Sequence, residues 1–351
     1  MTDNNSLLVY TPLEASNAAE KYIQWKQENN GGGMPLYIPK MEYSAKDRKG
    51  FLPVLPGELI TVIGRPGSGK TGLMFRWARE RAKDLQRQVS LGNKDAANSV
   101  VLYVTLEQLV EELRLFHASA ESNISTTDVV SGQANDHLDE IQKTFRSLHT
   151  TPLWFVGKSR ERRKNKTPIN ETTLTSAFAS IEQWQGDEAV QVIDSVFIDY
   201  LQRFRPNQKD WVQFYGDMVN ALKDMAGDFA TRMVLGVQAK REVDQRNVKV
   251  PDQDDGQWTS GIEQQSDGML SVCRPSHYVP INGDFDDGIE KVKILDRDDM
   301  IVKCCKRKMG PDNFFEWIKF KPEYNRLIEA EIKHYNPNLD KDDYLEAHTD
   351  V

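Results

Sequence analysis

Apolar residues along this chain follow two rhythms. Short runs rich in Val, Ile and Leu, namely "LITVIG", "SVVLYVTLE", "TPLWFVG", "SVFIDYLQ", "RMVLGVQ" and "GMLSVC", read as buried strands. Between them the apolar positions recur at helical spacing, as in Leu73, Met74, Trp77, Ala78, Ala82 and Leu85. This alternation, from "GFLPVLPGELITVIG" to about Arg274, predicts an α/β domain with a mostly parallel central sheet flanked by helices. Further on, "KVKILD", "MIVKCCKRK" and "FFEWIKFKPEYNRLIE" predict a hairpin or small antiparallel edge near the C-terminus. Ahead of the domain, Pro12 to Asn29 is expected as a helix with Ala15, Ala18, Ala19, Tyr22 and Ile23 on one side, ended by "NNGGGMP". The division expected is a leader with this helix and a connector over 1–50, the domain over 51–330, and an acidic tail over 331–351. "NGDFDDGIE" and the tail are acidic and rich in turn residues, so both are expected to be exposed or mobile.

Composition narrows the function classes. A hydrophobic fraction of 39% with 28% charged residues is that of a globular protein, and no apolar run approaches the length of a membrane span. The N-terminus has no basic segment followed by a long apolar one, so a cytoplasmic protein is expected. Cys273, Cys304 and Cys305 read as reduced core or edge residues, and the six histidines do not join them at zinc-ligand spacing. A net charge of −8 argues against coating nucleic acid over the whole surface, so any such site is local. The basic run "KSRERRKNK" from Lys158 to Lys166 has no interleaved aromatic residue and reads first as a solvated loop.

The chemistry concentrates in "GRPGSGKTG", Gly64 to Gly72, directly after the first strand. Gly64, Gly67 and Gly69 let the backbone curl until several N–H groups converge on one anion; Arg65, Pro66, Ser68 and Gly72 complete the loop. Lys70 supplies a point charge for β and γ phosphates, Thr71 a hydroxyl for Mg²⁺, and the following helix its positive end. These parts point to a nucleoside triphosphate. Three strand ends supply the groups that hydrolysis requires: Asp199 to reach the metal, Glu107 to polarise the attacking water, and Gln238 to sense the γ phosphate. In a parallel sheet the carboxyl ends of strands meet the ligand, so all three can approach Lys70.

The set "GRPGSGKT", "VTLEQ", "FIDYLQ", "VQAKREVDQR" and "SGIEQQSD" resembles the RecA-type ATPase domain of the bacterial replicative DNA helicases, the DnaB family, over roughly Ile38 to Ile328. The resemblance implies ATP and Mg²⁺ as cofactors, with Lys70 and Thr71 on phosphate and metal, Glu107 as base, Asp199 as metal carboxylate and Gln238 as sensor. It also implies a homo-oligomeric ring, usually of six subunits, with ATP at each interface, single-stranded DNA in the channel, and a loader or other replication protein as a further partner. The helix before "NNGGGMP" then resembles the family's linker helix. DNA contacts are expected from Arg203, Phe204 and Arg205 after Asp199, and from Lys240, Arg241 and Arg246 after Gln238.

Three departures from the family pattern stand out. The family's N-terminal domain, which engages primase, has no room before Pro12. The loop before "IEQ" reads Gln257-Trp258-Thr259-Ser260-Gly261 in place of the basic and acidic residues expected there, with Trp258 available to stack on a base. Where the family has Lys-x-Arg before a Gly-Pro turn, both reaching the neighbour's ATP, this chain has Lys306, Arg307 and Lys308. Either the arginine finger is a lysine, with Lys306 and Lys308 on one face and Arg307 opposite, or the register has slipped by one. An ATP-driven, ring-forming DNA helicase or translocase is the leading expectation. A helicase-derived regulatory or assembly ATPase that switches oligomeric state without unwinding is the alternative, and a recombinase-like filament fits "IDYLQ" less well.

Overall fold

A computed structural model describes residues 11–28, 33–161, 168–183, 185–186, 189–205, 210–257 and 261–328. Trp258, most of the basic run after Lys158 and the acidic tail lie outside the described residues. The strands are β1 (Leu59–Gly64), β2 (Ser99–Leu109), β3 (Leu153–Lys158), the short pair β4 (Gln185–Gly186) and β5 (Ala189–Val190), β6 (Val192–Asp199), β7 (Arg232–Gln238), β8 (Gly268–Cys273), β9 (Asp284–Asp286), β10 (Lys291–Lys293), β11 (Asp299–Arg307), β12 (Phe314–Lys321) and β13 (Arg326–Ile328). The helices are α1 (Pro12–Glu28), α2 (Lys70–Ser90), α3 (Lys94–Ala97), α4 (Val110–Ser122), α5 (Thr126–Ser131), α6 (Leu138–Ser147), α7 (Glu171–Glu182), α8 (Trp211–Asp228) and α9 (Gly261–Gln265).

One nine-stranded sheet has the order β13-β12-β11-β8-β1-β7-β6-β2-β3. From β8 to β3 the neighbours are parallel, and β11, β12 and β13 add an antiparallel edge against β8. The parallel strands are apolar on both faces because both are covered. Ile60 and Val62 of β1 face a core shared with Leu73, Met74 and Trp77 of α2. Leu59 and Ile63 face the opposite core, with Leu174 and Phe178 of α7 and Tyr215, Val219 and Leu222 of α8. This period-two division fixes register, since a one-residue slip would exchange the faces.

Two segments differ from the sequence expectation. Residues 34–54 are not merely a connector: Met34, Leu36, Met41, Phe51 and Val54 are buried in the α2-side core. "NGDFDDGIE" is not simply exposed either. It contains β9, paired antiparallel with β10, and Phe285 is buried in a third cluster with Val292, Ile301 and Trp317. The Trp317 indole donates to Asp287. One aromatic among acids shows no strand periodicity, so its burial is decided by Trp317, far along the chain. "KVKILD" therefore belongs to this ribbon and not to the main edge. The cysteines are free and buried, as expected.

Helix α1 stands apart. Its side chains, where described, are exposed, including Leu13 and Ile23. No helix among the described residues is long and apolar enough to cross a membrane.

Candidate functional site

The loop from Gly64 to Lys70 joins the carboxyl end of β1 to the start of α2, with Gly69 left-handed (φ 90°) at the N-cap. Two glycines here are required by close approach. A Cβ on Gly64 would lie 2.3 Å from the Ser68 hydroxyl oxygen, and one on Gly72 would lie 2.7 Å from the Phe320 ring. The first unpaired N–H groups of α2 therefore open onto a cleft of ≈ 360 Å³ lined by Pro66, Gly67, Gly69, Lys70, Thr71 and Gly72. Arg65 lines it too, but its guanidinium holds Asp244 through both Nε and Nη2 and donates to the Ala239 carbonyl. The residue expected at a phosphate thus braces the loop against the segment after β7.

Glu107, at the end of β2, and Gln238, at the end of β7, line the same cleft. Asp199 does not itself line the cleft but lies beside Lys70, with Oδ1 4.0 Å from Nζ. Asp199 is 4% exposed, and Oδ1 has no hydrogen-bond partner, while Oδ2 accepts from the Tyr103 hydroxyl at 3.3 Å. A buried carboxylate oxygen without a partner is costly unless a cation or water completes it, so the donor set fits a hard divalent ion. Burial pulls the Lys70 ammonium below the usual lysine range, against the pull of Asp199 and Glu107. A bound polyphosphate would reverse that shift by supplying the missing negative charge. The same Nζ lies 4.1 Å over the Tyr200 ring.

Further lining residues were not singled out in the sequence. Tyr200 follows Asp199, and Arg274 stands at the end of β8, where the strand-end rule applied to its neighbours would have found it. Phe320, Pro322 and Asn325 arrive from the antiparallel edge, and Phe116 from α4. Asn325 donates to the Gly72 carbonyl at 3.0 Å and accepts from Arg79, which anchors the edge over the start of α2. Arg274 donates to the Phe320 carbonyl at 2.7 Å, and its Nε is buried without a partner.

The residues expected on DNA divide. Phe204 is buried in the α8-side core, so it is not a DNA contact. Arg203 forms an ion pair with Glu107, which places it beside the nucleotide cleft. Arg205 and Arg241 are exposed; the Lys240 ammonium donates to the Asp254 carbonyl, and Arg246 pairs with Asp255 at 2.6 Å.

Arg307 corrects the expectation of a slipped register. It is 4% exposed and donates to the carbonyls of Leu52, Pro53 and Asp267 and to Glu58 at 2.8 Å. That guanidinium is enclosed by its own chain and is not a finger. A bulge between Cys304 and Lys306 sets this orientation. Lys306 Nζ donates to the Glu263 carbonyl, whereas Lys308 is exposed, 3.4 Å from Asp267.

The family model for the DnaB-like helicase C terminal domain matches residues 49–329. The replicative DNA helicase DnaB of Mycoplasma genitalium is 25% identical over 290 residues, covering 81% of this chain and 54% of that protein. The chain spans about half the length of the curated relatives it matches. A separately solved ATPase domain has the same fold, with a TM-score of 0.67 at 17% identity, covering 90% of this chain and 98% of that one. A DnaB-like replicative helicase solved for its interactions with primase gives 0.65 at 17% identity, over 93% of this chain and 68% of that one.

Proposed function

We propose, from the premise that this chain belongs to the DnaB-like helicase C-terminal domain family, that it is an ATP-hydrolysing motor that moves on single-stranded DNA as a ring. The observation that carries the reading is the convergence of Lys70, Glu107 and Gln238 on one cleft, with the Asp199 Oδ1, which has no hydrogen-bond partner, 4.0 Å from the Lys70 Nζ. Lys70 and the α2 N-terminus hold and orient the phosphates; Thr71 and Asp199 would hold Mg²⁺, which supplies neutralisation of the β and γ oxygens. Glu107 accepts a proton from the attacking water, and the Gln238 amide orients that water or the γ phosphate. Arg274, beside Gly69, and the Phe320 ring, against Gly72, also line the cleft. The ring places Lys308 of one subunit at the ATP of the next, and α1, whose Leu13 and Ile23 are exposed, docks on a neighbour. The ring is of six subunits, works in the cytoplasm, and is placed on DNA by a loader.

A second reading, an ATPase that switches assembly without unwinding, is favoured by the lysine at position 308 and by the enclosed Arg307. ATPase rate with and without single-stranded DNA, alongside particle mass with ATP, separates the two. Stimulation together with a ring supports the motor; nucleotide-driven assembly with no response to DNA supports the switch.

A further inference from the structure

The side chain of Gln202 spans two strand ends. Its Oε1 accepts the Gln238 backbone N–H at 3.0 Å, and its Nε2 donates to the Gln257 carbonyl at 3.3 Å. The third side closes through the Gln257 N–H, which donates to the Gln238 carbonyl at 2.9 Å. One partner can only donate and the other only accept, so a carboxamide in one orientation is the group that satisfies both. Behind it, the single proton of the Tyr215 hydroxyl is shared between the Gln202 carbonyl at 3.3 Å and the Phe204 carbonyl at 3.2 Å.

Gln238 and Gln257 are the two ends of one excursion of the chain. Between them the Lys240 N–H donates to the Asp255 carbonyl at 2.8 Å, and Ala239 bridges Gly256 in antiparallel fashion. This excursion carries Lys240, Arg241 and Arg246, and its first residue presents a side chain to the nucleotide cleft. A shift of the β7 end on meeting a γ phosphate therefore reaches the far end of the excursion by two routes, the direct Gln257–Gln238 backbone bond and the Gln202 amide.

We propose that Gln202 is a positioning residue that couples nucleotide state at Gln238 to DNA affinity of the segment from Ala239 to Gln257. The proposal rests on the motor reading above. It predicts that an isosteric carboxylate, which keeps the acceptor and loses the donor, breaks the side-chain link to Gln257 while Gln238 stays held and the direct Gln257–Gln238 backbone bond remains.

The test is the coupling factor: the ratio of dissociation constants for fluorescein-labelled oligothymidine with saturating ADP and with a saturating non-hydrolysable ATP analogue. For wild type a factor within about 5–150 is expected, the usual range for coupled sites. Gln202→Glu and Gln202→Met should still bind the oligonucleotide, with the factor reduced below that of wild type and the direct backbone bonds carrying the remainder. A factor equal to that of wild type in either variant overturns the proposal, as does a wild-type factor of one. Failure of wild type to bind DNA at all refutes the motor reading instead. Should both variants fail to fold, hydrogen exchange on wild type decides: the Gln238 amide, held by Gln202 Oε1, should change protection between the two nucleotides, and unchanged protection there overturns the role of Gln202.

Discussion

Arg203 forms an ion pair with Glu107, the carboxylate proposed as the base, and both side chains are 45% exposed. Exposed pairs of this kind contribute only about 0–1 kcal/mol, so a DNA phosphate or a bound nucleotide can displace Arg203. Paired, the carboxylate is turned from its task. Arg203→Ala should therefore raise the DNA-independent ATPase rate by up to about fivefold, the rate equivalent of about 1 kcal/mol. Steady-state hydrolysis without DNA checks this, and an unchanged or lower rate would show that the pair does not restrain the base.

The two neighbours at the end of β11 should behave as different kinds of residue. Removing Arg307 leaves Glu58 and three carbonyls without their shared donor, so Arg307→Ala should cost about 3 kcal/mol in urea unfolding. Lys308→Ala should change stability by less than about 0.5 kcal/mol. A rigid guanidinium holds two phosphate oxygens where an ammonium offers one charge, and arginine fingers contribute about 10³–10⁵ in rate elsewhere. Lys308→Arg should consequently raise turnover in assembled protein and leave unassembled protein unaffected, as read by rate against protein concentration.

His117 should make stability fall in mild acid. The ring is fully buried against Phe75, and neither nitrogen has a hydrogen-bond partner. Burial, with Arg79, Arg114 and Lys83 adding to it, lowers its pKa from 6.5 to about 2. Glu121 lies 3.9 Å from Nε2, but Lys83 at 2.6 Å and Arg79 at 3.3 Å already hold that carboxylate, so it does not stabilise an imidazolium. The folded pKa is below the unfolded one, so the contribution is complete above about pH 6.5 and is lost as pH falls toward the folded value. Between about pH 7.5 and about pH 5.5 the loss is about 1.4 kcal/mol. Urea unfolding at both values should show that difference shrinking in His117→Leu, and equal pH dependence in the two proteins would place a proton on the ring in the native state.

Much of the candidate site was legible because the parallel strands β2 and β7 end at one cleft. Asp199, Glu107 and Gln238 each close an apolar run, and the strand-end rule brings Glu107 and Gln238 to one cleft with Asp199 beside Lys70. Phe204 misled because "RFR" looks like a basic, aromatic nucleic-acid contact, yet the turn at Leu201–Arg203 swings the ring inward and Tyr215 donates to its carbonyl. Phe320 and Asn325 had no local signal. They reach Gly72 only because the antiparallel edge folds back over α2, a contact between residues about 250 positions apart. Arg307 was undecidable from alternation alone, since a bulge at Cys304 and Lys306 resets which face each residue takes.

The pair of variants Lys70→Ala and Glu107→Gln tests most directly whether one cleft binds ATP and hydrolyses it with Glu107 as base. Binding of a fluorescent ATP analogue is measured beside steady-state turnover. Lys70→Ala should lose tight binding, because the loop loses its buried cation. Glu107→Gln should bind as wild type does and hydrolyse at least about 10²-fold more slowly, the lower end of the contribution of a general base. Hydrolysis by Glu107→Gln at the wild-type rate would contradict the account, since the residue at the end of β2 would then not be the base.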